Sequence, residues 1–231
     1  ALKKEKWSFV IPCYGSYNTI GGVLNEICMT MRDGPDYEII CVDDFSPDQV
    51  GKVLDDLASQ MLQLKVIHFS RNFGQHAALM AGYRAVTGDI IISLDDDGQT
   101  PASECRNLVE ALTEDVDVVY AAYGQKKQSV FKNFGSAVNA RMLKALLHKP
   151  PMLEMNSYYA CRRYVIDEVV RYQGAYPYLG GLLLRTTQRM VNVPLEHRKR
   201  EMGNTGYTFK KLLALWMNGF TAFSVLPLRI A

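Results

Sequence analysis

Along the first half of the chain, short apolar runs alternate with amphipathic stretches. Trp7–Ile11, Tyr37–Val42, Leu64–Phe69, Ile90–Leu94 and Val116–Tyr123 have the length and continuity of strands. Ile20, Val23, Leu24 and Ile27 recur at helical spacing and predict a helix over Thr19–Met31. Further helices are predicted over Gln49–Met61, Gln75–Val86 and Pro101–Leu112, with Gly88 stopping the third and Pro101 at the favoured first turn of the last.

Strands that alternate with crossover helices imply a parallel, doubly wound α/β sheet flanked by helices. Runs such as YEIICV and DIIISL suit strands buried on both faces. The second half breaks the alternation. A long amphipathic helix is expected over Ser129–Leu147, a strand running into a helix over Tyr158–Tyr172, and another helix over Thr208–Asn218. With no repeat, linker or low-complexity tract, one continuous domain over residues 1–231 is expected.

Composition narrows the classes. With 48% hydrophobic and 22% charged residues, the chain is a folded globular one. A net charge of +2 argues against a nucleic-acid partner held by bulk electrostatics. Basic residues cluster at Lys126-Lys127, Arg162-Arg163 and His197–Arg200, as solvated surface or as phosphate contacts. The five cysteines form no CxxC pair and read as core thiols in a reducing compartment. The start, ALKKEKWSFVIP, passes from charge straight into a strand, without the pattern of a signal peptide. No apolar run reaches the ~18–20 residues of a membrane span. The final stretch, LLALWMNGFTAFSVLPLRIA, is very apolar and reads as the approach to membrane helices beyond Ala231.

Ligands of an open parallel sheet collect beyond the carboxyl ends of its strands. The acidic residues fall there: Asp43-Asp44 ends the second strand, and Asp95-Asp96-Asp97-Gly98-Gln99 ends the fourth. Asp-rich turns are common for conformational reasons alone. Three adjacent carboxylates repel one another, however, and a cation or a donor-rich ligand relieves that repulsion. In an extended turn, Asp95, Asp97 and Gln99 would point the same way, a hard-oxygen set suited to Mg²⁺ or Mn²⁺. An EF-hand is excluded because its sixth position requires Gly, and here Thr100 stands there. A dehydrogenase is excluded because PCYGSYNTIGG, not GxGxxG, follows the first strand. A nucleotidyltransferase would want a basic phosphate loop at that place, and GSYNTIGG holds no Lys or Arg.

The segments VIPCYGSYNTI, EIICVDDFSPDQ, FSRNFGQHAALMAGYRAVTGDIIISLDDDGQTP and HRKREMGNTGYTFKKL occur in the order found in family 2 inverting glycosyltransferases. The chain resembles the polyprenyl-phosphate branch of that family, whose members act on dolichyl or undecaprenyl phosphate. The resemblance implies a GT-A fold and a nucleotide-diphosphate sugar donor of UDP or GDP type. It also implies a divalent metal, a polyprenyl phosphate acceptor, and work at the cytoplasmic face of a cell membrane, with a homo-oligomer as an option. On this pattern residues to about 125 form a nucleotide-binding half and the rest an acceptor-binding, membrane-proximal half.

The resemblance also assigns residues. Pro12, Tyr14, Asp43 and Asp44 would line the base and ribose pocket, and Asn72, Gly74 and Gln75 would approach the nucleotide and sugar. Asp95 and Asp97 are the acids of a DXD motif around Asp96, with Gln99 completing the metal shell, and Asp95 and Asp96 would also bind the nucleotide sugar. Arg200 would steady the diphosphate, and Lys132 and Ser136 would take the acceptor phosphate. Two departures stand out. Gly15-Ser16 replaces the usual Asn-Glu, and the region where many relatives carry a basic Asp reads LEMNSYYACRR, leaving Glu154 and Asn156 nearby. Transfer to a glycan or to a protein, and a non-catalytic nucleotide-sugar-binding protein, are the alternatives.

Overall fold

The computed structural model describes residues 5–123, 149–150 and 152–195. The helices expected over Ser129–Leu147 and Thr208–Asn218 lie outside them, as do Lys132, Ser136 and Arg200.

The first half follows the hydrophobic pattern closely. Strands β1 (Trp7–Cys13), β2 (Tyr37–Asp43), β3 (Leu64–His68) and β4 (Ile90–Ser93) alternate with helices α1 (Ile20–Met31), α2 (Val50–Ala58) and α3 (Gln75–Ala85). Beyond β4 come a 3₁₀ turn (Ala102–Glu104), α4 (Cys105–Glu110), β5 (Val118–Tyr123), β6 (Tyr159–Arg162), α5 (Arg163–Val169), α6 (Leu179–Thr186) and β7 (Met190–Leu195). The helix expected over Pro101–Leu112 is therefore shorter and opens with a 3₁₀ turn.

The seven strands form one sheet in the order β3-β2-β1-β4-β6-β5-β7. β1 pairs in parallel with β2 and β4, and β2 with β3. β6 enters between β4 and β5 antiparallel to both, while β7 runs parallel to β5 at the edge. The expectation of a mostly parallel sheet flanked by helices is met, and the antiparallel strand is an addition to it.

Alternation along the strands divides the core into two layers. Phe9, Ile11, Ile39, Cys41, Ile90 and Ile92 pack with α1, α2 and α4 on one face. Val10, Ile40, Val42, Ile91 and Val118 pack with α3, α5 and α6 on the other. Helix α3 lies close against β1, for a Cβ at Gly82 would sit 2.4 Å from Val10 Cγ1. All five cysteines are free thiols, four of them buried and Cys28 half-buried, as the sequence suggested.

The amino ends of the strands are tied by one buried carboxylate. Glu38, 3% exposed, accepts from Ser8 Oγ at 2.7 Å, Lys65 Nζ at 2.7 Å and the Thr87 backbone N–H at 2.6 Å. Burial alone would raise its pKa, but these bonds outweigh burial and bring it to about 2. This network holds the edge opposite the candidate site and leaves the carboxyl edge free for chemistry.

Candidate active site

Three loops leave the carboxyl ends of β1, β2 and β4 side by side, and a fourth arrives from β3. Their side chains bind one another's backbone. Tyr14 N–H donates to Asp96 Oδ2 at 2.9 Å, Gly15 N–H to Ser46 Oγ at 2.7 Å, and Tyr17 N–H to Asp48 Oδ2 at 2.9 Å. Thr19 Oγ1 donates to the Asp96 carbonyl at 2.7 Å. Three amides of the loop after β1 are thus taken by side chains of neighbouring loops.

Asp44 organises the loop after β3. Its Oδ1 accepts the Phe73 N–H at 2.7 Å and its Oδ2 the Gly74 N–H at 2.8 Å. Asn72 Nδ2 donates back to the Asp44 carbonyl at 3.2 Å. Gly74 can turn its N–H this way because it sits at φ 90°, a conformation closed to most side-chain-bearing residues. Burial raises the Asp44 pKa and Asp43 adds to the rise, against the two backbone bonds. Asp43 faces the other way, with Oδ1 on the Ser46 N–H at 3.0 Å and Oδ2 3.2 Å from His68 Nδ1. Between this pair and Ser46, Phe45 takes the left-handed conformation at φ 54° and is 56% exposed. Tyr14, 53% exposed, also stands at this edge, whereas Pro12 is buried within β1 opposite Val42.

The acidic run after β4 departs from the extended form in which three oxygens would align. The chain bends over Asp96–Gly98, and Gly98 takes φ 71°. Asp95 turns toward Gln75, whose Nε2 donates to Oδ1 at 3.0 Å, and toward Ser157, whose Oγ donates to Oδ2. Asp97 turns toward its own loop: Oδ1 accepts the Gln99 N–H at 3.0 Å and Oδ2 the Gln99 Nε2 at 2.5 Å. Asp96 points back at β1, and burial, with Asp95 adding, lifts it to about 6 against the Tyr14 bond. Asp95 is likewise raised, by burial first and by the Asp97 charge. Tyr123, at the end of β5, lies in the field of both Asp95 and Asp97.

Among the described residues no three His, Cys, Asp or Glu side chains converge on a metal position. The donor set still fits a hard cation. Asp97 and Gln99 are adjacent oxygen bearers, and Mg²⁺ and Mn²⁺ complete their shells with water and substrate phosphate oxygens. Gln99 would have to present its carbonyl oxygen where its amide nitrogen now meets Asp97.

The residues near the missing basic Asp are also placed. Asn156 Nδ2 donates to the Ala121 carbonyl, and its Oδ1 accepts the Tyr158 N–H at 3.0 Å. Glu154 is exposed; its backbone is fixed to Asn192, whose Oδ1 accepts the Glu154 N–H at 2.8 Å and whose Nδ2 donates to the Glu154 carbonyl at 2.7 Å. Sequence reasoning passed over Ser157 and Phe45. Ser157 has no motif of its own, and only the antiparallel insertion of β6 beside β4 carries it to Asp95. His76, after Gln75, is half-buried, its pKa lowered to about 4 by desolvation, and its Nδ1 accepts the Leu179 N–H at 3.4 Å.

A mostly parallel sheet whose acidic loops meet at one carboxyl edge has the architecture of an α/β ligand-binding domain. The chain belongs to glycosyl transferase family 2, whose family model matches residues 8–170. It is a glycosyltransferase with a GT-A type fold. It is 32% identical over 234 residues to the undecaprenyl-phosphate 4-deoxy-4-formamido-L-arabinose transferase of Klebsiella pneumoniae (strain 342), covering 98% of this chain and 70% of that one. The enzyme of that name from Sodalis glossinidius (strain morsitans) is 31% identical, with 99% and 71% covered. Among solved structures, glucosyl-3-phosphoglycerate synthase from Mycobacterium tuberculosis in complex with Mn²⁺, uridine diphosphate and glucosyl-3-phosphoglycerate is similar in fold. It superimposes with a TM-score of 0.70 at 20% identity, covering 95% of this chain and 80% of that one.

Proposed function

We propose that this chain transfers a sugar, with inversion, from a nucleotide-diphosphate sugar of UDP or GDP type to polyprenyl phosphate, at the cytoplasmic face of a bacterial cell membrane. The observation that carries the proposal is the joining of Asp44, the loop holding Gln75, and Asp95 by direct hydrogen bonds from β2 through the β3 loop to β4, with Asp97 two residues further along the same acidic run. The names of the relatives, which act on undecaprenyl phosphate, support the acceptor.

In this reading Pro12, Tyr14, Asp43 and Asp44 form the base and ribose side, with Phe45 as a further ring against which a base stacks. Asn72, Gly74, Gln75 and Asp95 serve the ribose and sugar, while Asp96 keeps the Tyr14 loop in place. Asp97 and Gln99, with Asp95 behind them, would hold Mg²⁺ or Mn²⁺, which supplies charge neutralisation for the departing diphosphate. Arg200 would assist there, and Lys132 and Ser136 would seat the acceptor phosphate. The whole chain, as one domain, serves this single reaction.

An acceptor phosphate oxygen bonds to the anomeric carbon as the bond from that carbon to the diphosphate oxygen breaks. A phosphate monoester has its second pKa at about 6 and attacks as an oxyanion without a base. Asn156 cannot accept a proton, and both ends of its amide are engaged with backbone. Glu154 is the carboxylate left in that region. Among the described residues no further carboxylate takes the place of that Asp, and this favours a phosphate over a sugar hydroxyl, which would need a base.

The test is product analysis with labelled UDP- and GDP-sugars, Mn²⁺ and either undecaprenyl phosphate or soluble glycans. Label entering an acid-labile, solvent-extractable lipid product is the expected result. Label entering only the glycan overturns the acceptor assignment.

A further inference from the structure

His68 lies outside every motif that the glycosyltransferase pattern uses, yet it holds one of the carboxylates assigned to the donor pocket. It ends β3, next to Asp43 at the end of β2. Its Nδ1 lies 3.2 Å from Asp43 Oδ2 and its Nε2 3.0 Å from Asp55 Oδ1 on α2. The packing leaves this pair little freedom. A Cβ at Gly51 would lie 2.7 Å from Asp43 Oδ2 and 3.4 Å from the His68 ring, so α2 presses its backbone against the contact. The remaining oxygen of Asp43 takes the Ser46 N–H, and Ser46 Oγ in turn receives the Gly15 N–H from the loop after β1. One imidazole therefore sits at the root of a chain that runs Asp55, His68, Asp43, Ser46, Gly15 and reaches two of the loops facing the nucleotide.

We infer that His68 is a positioning residue of the donor pocket, which in its doubly protonated form clamps Asp43 against Asp55 and so holds the nucleotide-facing loop in its binding arrangement. This rests on the proposed placement of the nucleotide beside Asp43. The charged groups facing the ring are Asp43 from β2 and Asp55 from α2; Lys65, on the same strand, directs its Nζ to Glu38. Burial alone would lower the His68 pKa, but the bonds to Asp55 and Asp43 outweigh it and raise the pKa. With 41% of its side chain exposed, the ring exchanges protons freely with solvent. As imidazolium it donates to both carboxylates; as neutral imidazole it carries one N–H and must release one of them.

The consequence is a nucleotide affinity that falls as pH rises through the titration of His68, with kcat at saturating donor unmoved. Binding of UDP and of GDP, each with Mn²⁺, is measured by calorimetry from about pH 5.5 to 8.5 on the wild type, His68→Gln and Asp55→Asn. For the nucleotide that binds, the wild-type Kd rises about threefold to tenfold across the range, as expected when one charge-assisted bond is lost. His68→Gln binds at the weaker level throughout and loses the pH step. Asp55→Asn keeps the low-pH affinity and moves the step to lower pH, a change that a merely structural histidine would not produce. A wild-type Kd that is flat across the range, or one that His68→Gln leaves unaltered, overturns the inference while the donor pocket stands. Failure of the wild type to bind either nucleotide at any pH overturns the donor pocket and this inference together.

Discussion

The two oxygens of Asp44 each hold a backbone N–H of the loop after β3, Phe73 at 2.7 Å and Gly74 at 2.8 Å. A carboxylate accepts at both oxygens, whereas a carboxamide must turn its NH₂ toward one of the two donors. Asp44→Asn is therefore expected to loosen this loop and weaken nucleotide binding about tenfold, equivalent to about 1.4 kcal/mol. Calorimetry checks the affinity, and circular dichroism shows that the sheet persists.

Ser157 and Gln75 together fix Asp95, one on each oxygen. Removing the hydroxyl in Ser157→Ala frees a half-buried carboxylate to rotate. The expected outcome is a drop of about tenfold in kcat/KM for the donor, with the melting temperature lowered by at most roughly 3–10 °C, since one neutral-to-charged bond is worth about 1.5–3 kcal/mol. Steady-state kinetics at varied donor concentration decide it.

Much of this arrangement could be read from residues. The acidic ends of β2 and β4 follow from apolar runs that stop at Asp43 and Asp95, because a buried parallel strand cannot continue into charge. What the pattern did not reveal is where the antiparallel β6 goes. Its four residues carry no signal for the neighbour they choose, and that choice alone brings Ser157 to Asp95. The edge strand β7 escaped notice because Pro194 interrupts it, which only an edge position tolerates. Helix α6 was missed because Gly180-Gly181 occupies its first turns, lowering its helix propensity. The alignment of Asp95, Asp97 and Gln99 assumed an extended turn, and the left-handed Gly98 bends it.

Glu38 should set the acid limit of stability. Its pKa falls from 4.5 to about 2 on folding, so the stabilisation is present above 4.5 and is lost as pH falls toward 2. A shift of this size corresponds to about 3 kcal/mol. Glu38→Gln should lower the unfolding free energy by about 2–3 kcal/mol at pH 7, and the difference should close near pH 2–3. Urea denaturation at several pH values measures it.

Gly82 lets α3 approach β1. In Gly82→Ala the new methyl would meet Val10 Cγ1 at 2.4 Å and must push helix from sheet. Overpacking of this kind costs about 1–3 kcal/mol. Because α3 begins with Gln75, the donor to Asp95, the variant should also bind nucleotide more weakly. Thermal unfolding and calorimetry on the same preparation test both effects.

The central claim is that the Asp97 edge binds a sugar nucleotide together with a divalent ion. Thermal shift with UDP-, GDP- and dTDP-sugars, with and without Mn²⁺, on the wild type and Asp97→Asn measures it directly. At about 100 times Kd a ligand adds about 2.7 kcal/mol. One sugar nucleotide should therefore raise the wild-type melting temperature by roughly 5–10 °C with Mn²⁺ present and leave Asp97→Asn unmoved. An equal rise in Asp97→Asn, or a rise indifferent to Mn²⁺, would contradict the account.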